Sequence, residues 1–184
     1  MLASCGRPAG SSDAASVTPV SPEPTATPPA SASSPIGSAP PSSVAGAAIG
    51  DYLPVELDGV ELHTFAVAQD VTARLGQAVG APLELAYASE HGARFIQTIA
   101  IRAPGTDASA LAMLFPAAAF PPDGATADVS EADLGGEGVT AVADPAATAR
   151  LGTYYLLARD DVLIVVETFT PEDAADMIGA LPSP

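Results

Sequence analysis

All nine Phe and Tyr residues lie at or after Tyr52, and the chain has no Trp. That one-sidedness decides where a core can form. Residues 6–50 are almost entirely Pro, Ser, Ala, Thr and Gly, as in VTPVSPEPTATPPASASSPIGSAPPSS. Such a stretch cannot bury enough apolar surface to offset the entropy of ordering its backbone. Its prolines remove amide donors and bias the chain toward polyproline II. Residues 6–50 therefore read as a disordered, semi-extended tether, reaching at most about 140 Å at about 3.1 Å per residue. Its Ser/Thr content beside Pro also matches the composition of O-glycosylated stalks. The character changes at Asp51, and residues 51–184 are enough for one compact domain.

Within that domain, turn chemistry sets the order of elements. In YLPVELDGVELHTFAV two apolar runs flank Asp58-Gly59, a pair suited to a two-residue turn with positive φ at both positions. Gln69 to Val79 follows with Val71, Leu75, Ala78 and Val79 at helical spacing, stopped by Gly80 and Pro82. LELAYASEHGARFIQTIAIRA reads as a longer hairpin around His91-Gly92, and a short helix from about Asp107 to Phe115 is expected to end at Pro116. Two more hairpins are expected around Gly135-Gly136 and near Asp160. A last helix starts at Thr170-Pro171-Glu172-Asp173, with a Thr cap, Pro in the first turn and acids at the positive dipole end. It is expected to run to Leu181, before Pro182.

The strands RFIQTIAI and DVLIVVETF carry apolar residues on both faces, so they are expected at the centre, covered from both sides. The second cover could be a curled sheet or a partner subunit. The fold class is α+β, with a mainly antiparallel sheet of about eight strands and three helices. DASALAMLFP (107–116) and DAADMIGALP (173–182) superpose, Leu111, Ala112 and Phe115 falling opposite Met177, Ile178 and Leu181. This suggests a duplication with halves at about 51–120 and 121–184, the first carrying the additional helix Gln69–Val79. Both halves resemble tandem-repeat extracytoplasmic domains of uncharacterised bacterial lipoproteins, over most of residues 53–182, with a terminal helix ending in Leu-Pro. That resemblance has no motif that carries an activity.

The single cysteine, Cys5, rules out an intramolecular disulfide and a thiolate zinc cluster. It closes the stretch Leu2-Ala3-Ser4-Cys5, which resembles the lipobox of bacterial lipoproteins, a Leu and two small residues before the cysteine that is acylated. The resemblance implies lipidation at Cys5, cleavage before it, and a layout of anchor (1–5), spacer (6–50) and payload (51–184). Such a signal also needs a charged and an apolar region ahead of the box. Only Met1 precedes Leu2, so the true start is expected upstream. If Met1 is the true start, the expectation becomes a cytoplasmic protein.

Charge removes other partners. With 22 acidic and 6 basic residues the net charge is −16, and the six arginines (Arg7, Arg74, Arg94, Arg102, Arg150, Arg159) are scattered. Polyphosphate binding needs a concentrated cationic patch, which disfavours nucleic acid. Candidate chemistry is sparse. His63 reads as a surface strand residue and His91 as a turn residue, and no Gly-x-Ser-x-Gly elbow accompanies them. The acids Asp51, Glu56, Asp58 and Glu61, and again Asp128, Glu131, Asp133 and Glu137, could attract calcium. EF-hand spacing is absent, and solvated strand faces explain both groups. Gly135-Gly136-Glu137-Gly138 falls inside a hairpin, where it cannot be a phosphate loop. Phe120, at the junction of the halves, reads as a connector packed on the sheet or as a ligand lip.

No catalytic, cofactor or metal-ligand set emerges. The features point to a non-enzymatic, membrane-anchored cell-envelope protein whose domain binds an unknown protein or a small apolar ligand, with the oligomeric state open. An envelope hydrolase and a soluble intracellular interaction module remain the alternatives.

Overall fold

The structure, a computed structural model, describes residues 47–120, 127–143 and 152–183. Cys5, Arg7, Arg150 and the segment Pro121-Pro122-Asp123-Gly124 lie outside the described residues.

The turns form where the dipeptides place them. Asp58 (φ 51°) and Gly59 (φ 79°) join β1 (Glu56–Leu57) to β2 (Val60–Glu61). Gly135 and Gly136, both at positive φ, join β5 (Asp128–Leu134) to β6 (Glu137–Ala143). Asp160 (φ 54°) opens the turn between β7 (Thr153–Arg159) and β8 (Val162–Thr168). Paired positive φ values twist a tight turn in the same sense as the strands it connects. β3 (Glu84–His91) and β4 (Phe95–Arg102) are joined through Gly92-Ala93-Arg94, with His91 opposite Phe95.

Among the described residues there are eight strands, as expected, but they divide six and two. The six-stranded sheet is antiparallel throughout, in the order β3-β4-β8-β7-β6-β5. β1 and β2 form a separate ribbon, too short to join it, and the chain leaving the ribbon touches the edge of β3 through a single His63–Ser89 bridge.

β4 and β8 lie side by side inside the sheet and are covered on both faces. On one face Ile99, Ile101, Leu163 and Val165 pack with α1 (Gln69–Val79) and α2 (Ala108–Ala119). On the other, Ile96, Ala100, Val162, Ile164 and Val166 pack with α3 (Pro171–Gly179), the ribbon and a 3-10 turn, η1 (Ile49–Tyr52). The second cover is thus supplied by the chain's own helix and ribbon. α3 touches β4, β8 and also the distant β5, so the sheet curls around it. α2 and α3, which the internal alignment equates, lie on opposite faces.

Local signals hold with three corrections. α1 ends as expected, at Gly80 with φ 71°. α2 does not end at Pro116, which sits inside it: the last turn closes through the Phe120 amide donating to the Pro116 carbonyl at 2.9 Å. Proline forfeits its own amide bond and crowds the preceding turn. Here Ala118 is buried and its carbonyl accepts from Arg74 Nε at 2.6 Å, so packing holds the turn that propensity opposes. α3 is capped by Thr170, whose hydroxyl oxygen accepts from the Asp173 amide at 3.2 Å, but it ends at Gly179. Leu181 still reaches the core beyond the helix end. Finally, η1 begins two residues inside the segment that composition assigns to the tether, and Ala47 and Ile49 pack on the α3-side core. Among the described residues no helix is long and apolar enough to cross a membrane.

Candidate functional site

α2 contacts β7 and β8 and packs beside α1, which leaves the same face of β5 and β6 without a helix over it among the described residues. A groove of about 570 Å³ runs along that step. Its sheet floor follows from register. Thr140 pairs with both Glu131 and Leu156, and Gly138 pairs with Asp133. Side chains alternate along a strand, so Val129 and Glu131 of β5, Gly138 and Thr140 of β6, and Leu156 and Ala158 of β7 share one face and line the groove.

The wall comes from Ser109, Ala112, Met113 and Pro116, a stripe at helical spacing along α2. Leu111, Phe115 and Ala118 form the other stripe and are buried in the core. α2 therefore has two apolar stripes, one spent on the core and one facing outward, where Met113 is 77 % exposed. The floor is open at Gly138, where an added Cβ would meet nothing within 4 Å. Polar groups are few: the Ser109 hydroxyl, and a Glu131 carboxylate whose Oε1 accepts from Thr140 Oγ1 at 3.2 Å. Most of this lining escapes periodicity analysis, which sees one stripe and stops. The available signal was ASALAMLFPAAA itself, a helix without a single charge, which a helix covering only one face of a sheet has no reason to be.

The two histidines lie elsewhere, on an aromatic ladder at the β3–β4 hairpin tip. His63 sits 6.0 Å from Phe65, Phe65 stacks on His91 at 5.1 Å, His91 meets Phe95 edge-on at 5.5 Å, and Phe95 meets Phe169 at 4.9 Å. Both histidines are exposed, as expected. But His91 is the last residue of β3, paired with Phe95, rather than a turn residue, and His63 sits in an isolated bridge to Ser89 outside any strand. Their joining through Phe65, and the link through Phe95 to Phe169, are long-range outcomes that no local pattern displays. Phe65 and Phe169 stay about half exposed.

The acidic groups are distributed among structural tasks. Asp51 Oδ2 accepts from the Ala48 amide in η1, and Glu56 faces Glu61 across the ribbon. Asp58, in the turn rather than on a strand, reaches Arg94 at 3.1 Å. Arg94 also meets the buried Glu90 at 3.2 Å, Asp176 at 3.3 Å and Asp173 at 3.9 Å, so one guanidinium ties ribbon, hairpin and α3 together. Glu137 pairs with Arg159 at 3.5 Å, and Asp133 Oδ1 caps the Gly136 amide. Among the described residues no three His, Cys, Asp or Glu side chains converge as a metal site. Phe120 packs as a connector, its ring 5.9 Å from Tyr154 on the α1/α2 side.

Shifted ionisations lie in the body rather than in the groove. Burial pushes the Tyr154 hydroxyl up to about 12, with Glu167 adding to the rise and Arg74 opposing it. Burial likewise raises Glu167 and Tyr87. Tyr155 rises through burial, against a hydrogen bond to Thr153 and with help from Glu172. Burial lowers Arg94, but Glu90 and Asp58 outweigh it and the net shift is upward. Arg102 behaves alike, Asp161 and Glu84 outweighing its burial. Each of these shifts has a structural cause in core packing or an ion pair.

Compared with family models, with curated proteins and with solved structures, the chain matches none.

Proposed function

We propose that this is a lipid-anchored cell-envelope protein, held at the membrane through an acyl group on Cys5 and spaced from it by residues 6–46, whose body binds a small apolar ligand in the groove between α2 and β5–β7. The anchor rests on the Leu2-Ala3-Ser4-Cys5 resemblance and on the tether composition behind it. The binding role is carried by one observation. A charge-free helix turns its second apolar stripe, Ala112, Met113 and Pro116, onto a sheet face that no helix covers among the described residues, instead of burying it. The volume falls in the range of about 300–1,000 Å³ typical of small-molecule sites, and an apolar lining with a few placed polar groups is their usual composition.

Two measurements test this. The intact mass of protein made in its natural host should correspond to a chain beginning at an acylated Cys5; a free thiol on a chain retaining Met1 overturns the anchor. The neutral apolar fluorophore N-phenyl-1-naphthylamine should bind the folded body saturably and lose that binding in Gly138→Leu, which places a side chain into open groove space. Equal binding by the variant removes the groove from the proposal.

A further inference from the structure

We infer that the groove selects apolar ligands bearing a cationic head and rejects fatty-acid-like anions; this rests on the groove being the binding site and adds the class of ligand. The lining carries one ionisable group, Glu131, and it is an acceptor. A carboxylate offers about four acceptor sites. Thr140 Oγ1 occupies one of them, and in doing so spends the hydroxyl proton that could otherwise have met an anionic head. Asp133, two residues on along the edge strand, adds a second negative charge to the same face.

No compensating cation is near among the described residues. Arg74 donates to the Ala118 carbonyl, Arg94 and Arg102 sit among their carboxylates, and Arg159 serves Glu137 and the Pro182 carbonyl. None of the four lines the groove. A cleft with low-dielectric walls and charge of one sign concentrates the potential inside it, and the chain's net charge of −16 reinforces that sign. An alkyl chain laid along Ala112, Met113, Leu156 and Ala158 shares the groove with Glu131, which lies on the same face across Thr140 from Leu156. An ammonium there gains a charge-assisted hydrogen bond, whereas a carboxylate meets like charge and, among the described lining residues, finds only the neutral Ser109 hydroxyl as a donor to set against it.

The test uses three free small molecules with one alkyl chain and different heads: decylammonium, decanol and decanoate, titrated calorimetrically below their aggregation concentrations at low and at moderate salt. Decylammonium should bind about 3- to 10-fold more tightly than decanol, with decanoate weakest and the spread narrowing as salt rises. Glu131→Gln should bring ammonium and alcohol to near parity, while Gly138→Leu should weaken all three. Decanoate binding as tightly as decylammonium, or a preference untouched by Glu131→Gln, overturns the cation selectivity and leaves the groove standing if Gly138→Leu still blocks. Decylammonium binding that ignores Gly138→Leu is adsorption on an acidic surface and overturns the proposal. Failure of these probes and of N-phenyl-1-naphthylamine together overturns the groove itself.

Discussion

Two glycines, one leading into a strand and one inside a strand, should respond to the same substitution with opposite sign. Gly152, leading into β7, is buried against the end of β8. A Cβ there would lie 2.8 Å from the Thr168 carbonyl oxygen and 3.1 Å from both the Thr168 carbonyl carbon and Glu167 Cγ. The first two are backbone atoms, so no rotamer change relieves them. The contact to oxygen falls roughly 0.5–1 Å inside ordinary van der Waals separation, and the strands must part to accept it. Overpacking of this kind costs about 1–3 kcal/mol. Gly138 has open space where its Cβ would go, so Ala there removes only the entropic weakness of a strand glycine and gains about 0.5–1 kcal/mol. For a body of this size, thermal unfolding followed by circular dichroism should show Gly152→Ala melting roughly 4–10 °C lower than wild type and Gly138→Ala roughly 2–4 °C higher. If both variants shift the same way, or Gly152→Ala is neutral, the close approach of β7 to β8 is not a constraint and the reasoning fails.

Three further outcomes are expected. Glu167 has a folded-state pKa above its ordinary value of 4.5 because it is buried. The folded state therefore holds that proton more tightly, and stability is lost as pH rises from about 4.5 through the raised value. Glu167→Gln should gain on wild type across that window in urea melts taken at successive pH values; a difference independent of pH contradicts the burial. Arg94→Met leaves Glu90 buried without its partner and should cost about 2–4 kcal/mol, partly restored by adding Glu90→Gln. A shift in urea midpoint worth under about 0.5 kcal/mol would show that the four-carboxylate junction is ornamental. Thr98 Oγ1 is buried with no hydrogen-bond partner among the described residues, so Thr98→Val should stabilise by about 1 kcal/mol. A loss instead would reveal a bound solvent network on that side of β4.

Local chemistry explains which parts of the molecule can be read without a structure. Asp58-Gly59 and Gly135-Gly136 specify their turns because few other residues tolerate those backbone angles. The doubly apolar runs of β4 and β8 mark them as interior strands, since each of their faces meets a different layer. The misreadings occur where a distant partner decides. Pro116 stops a helix in isolation, but Ala118 and Arg74 hold the turn after it. The β1–β2 hairpin looks like any other until its two-residue strands prove too short to enter the sheet. The groove exists because α2 lies over β7 and β8 rather than one strand further out, and Thr140 and Glu131 meet on its floor only through the β5–β6 register. The lipidation expected at Cys5 and the tether before Ala47 lie outside the described residues.

The clamp at the entrance to the fold has a mechanical consequence. Arg102 donates to the Ala47 carbonyl, lies 5.7 Å above the Tyr52 ring and pairs with Asp161 at 2.8 Å. η1 rests on β3 and β4 without being hydrogen-bonded into the sheet as a strand. Tension arriving from the N-terminal side therefore loads a single short turn and one guanidinium first. Peeling that turn away absorbs extension while the six paired strands and the groove beside α2 keep their shape.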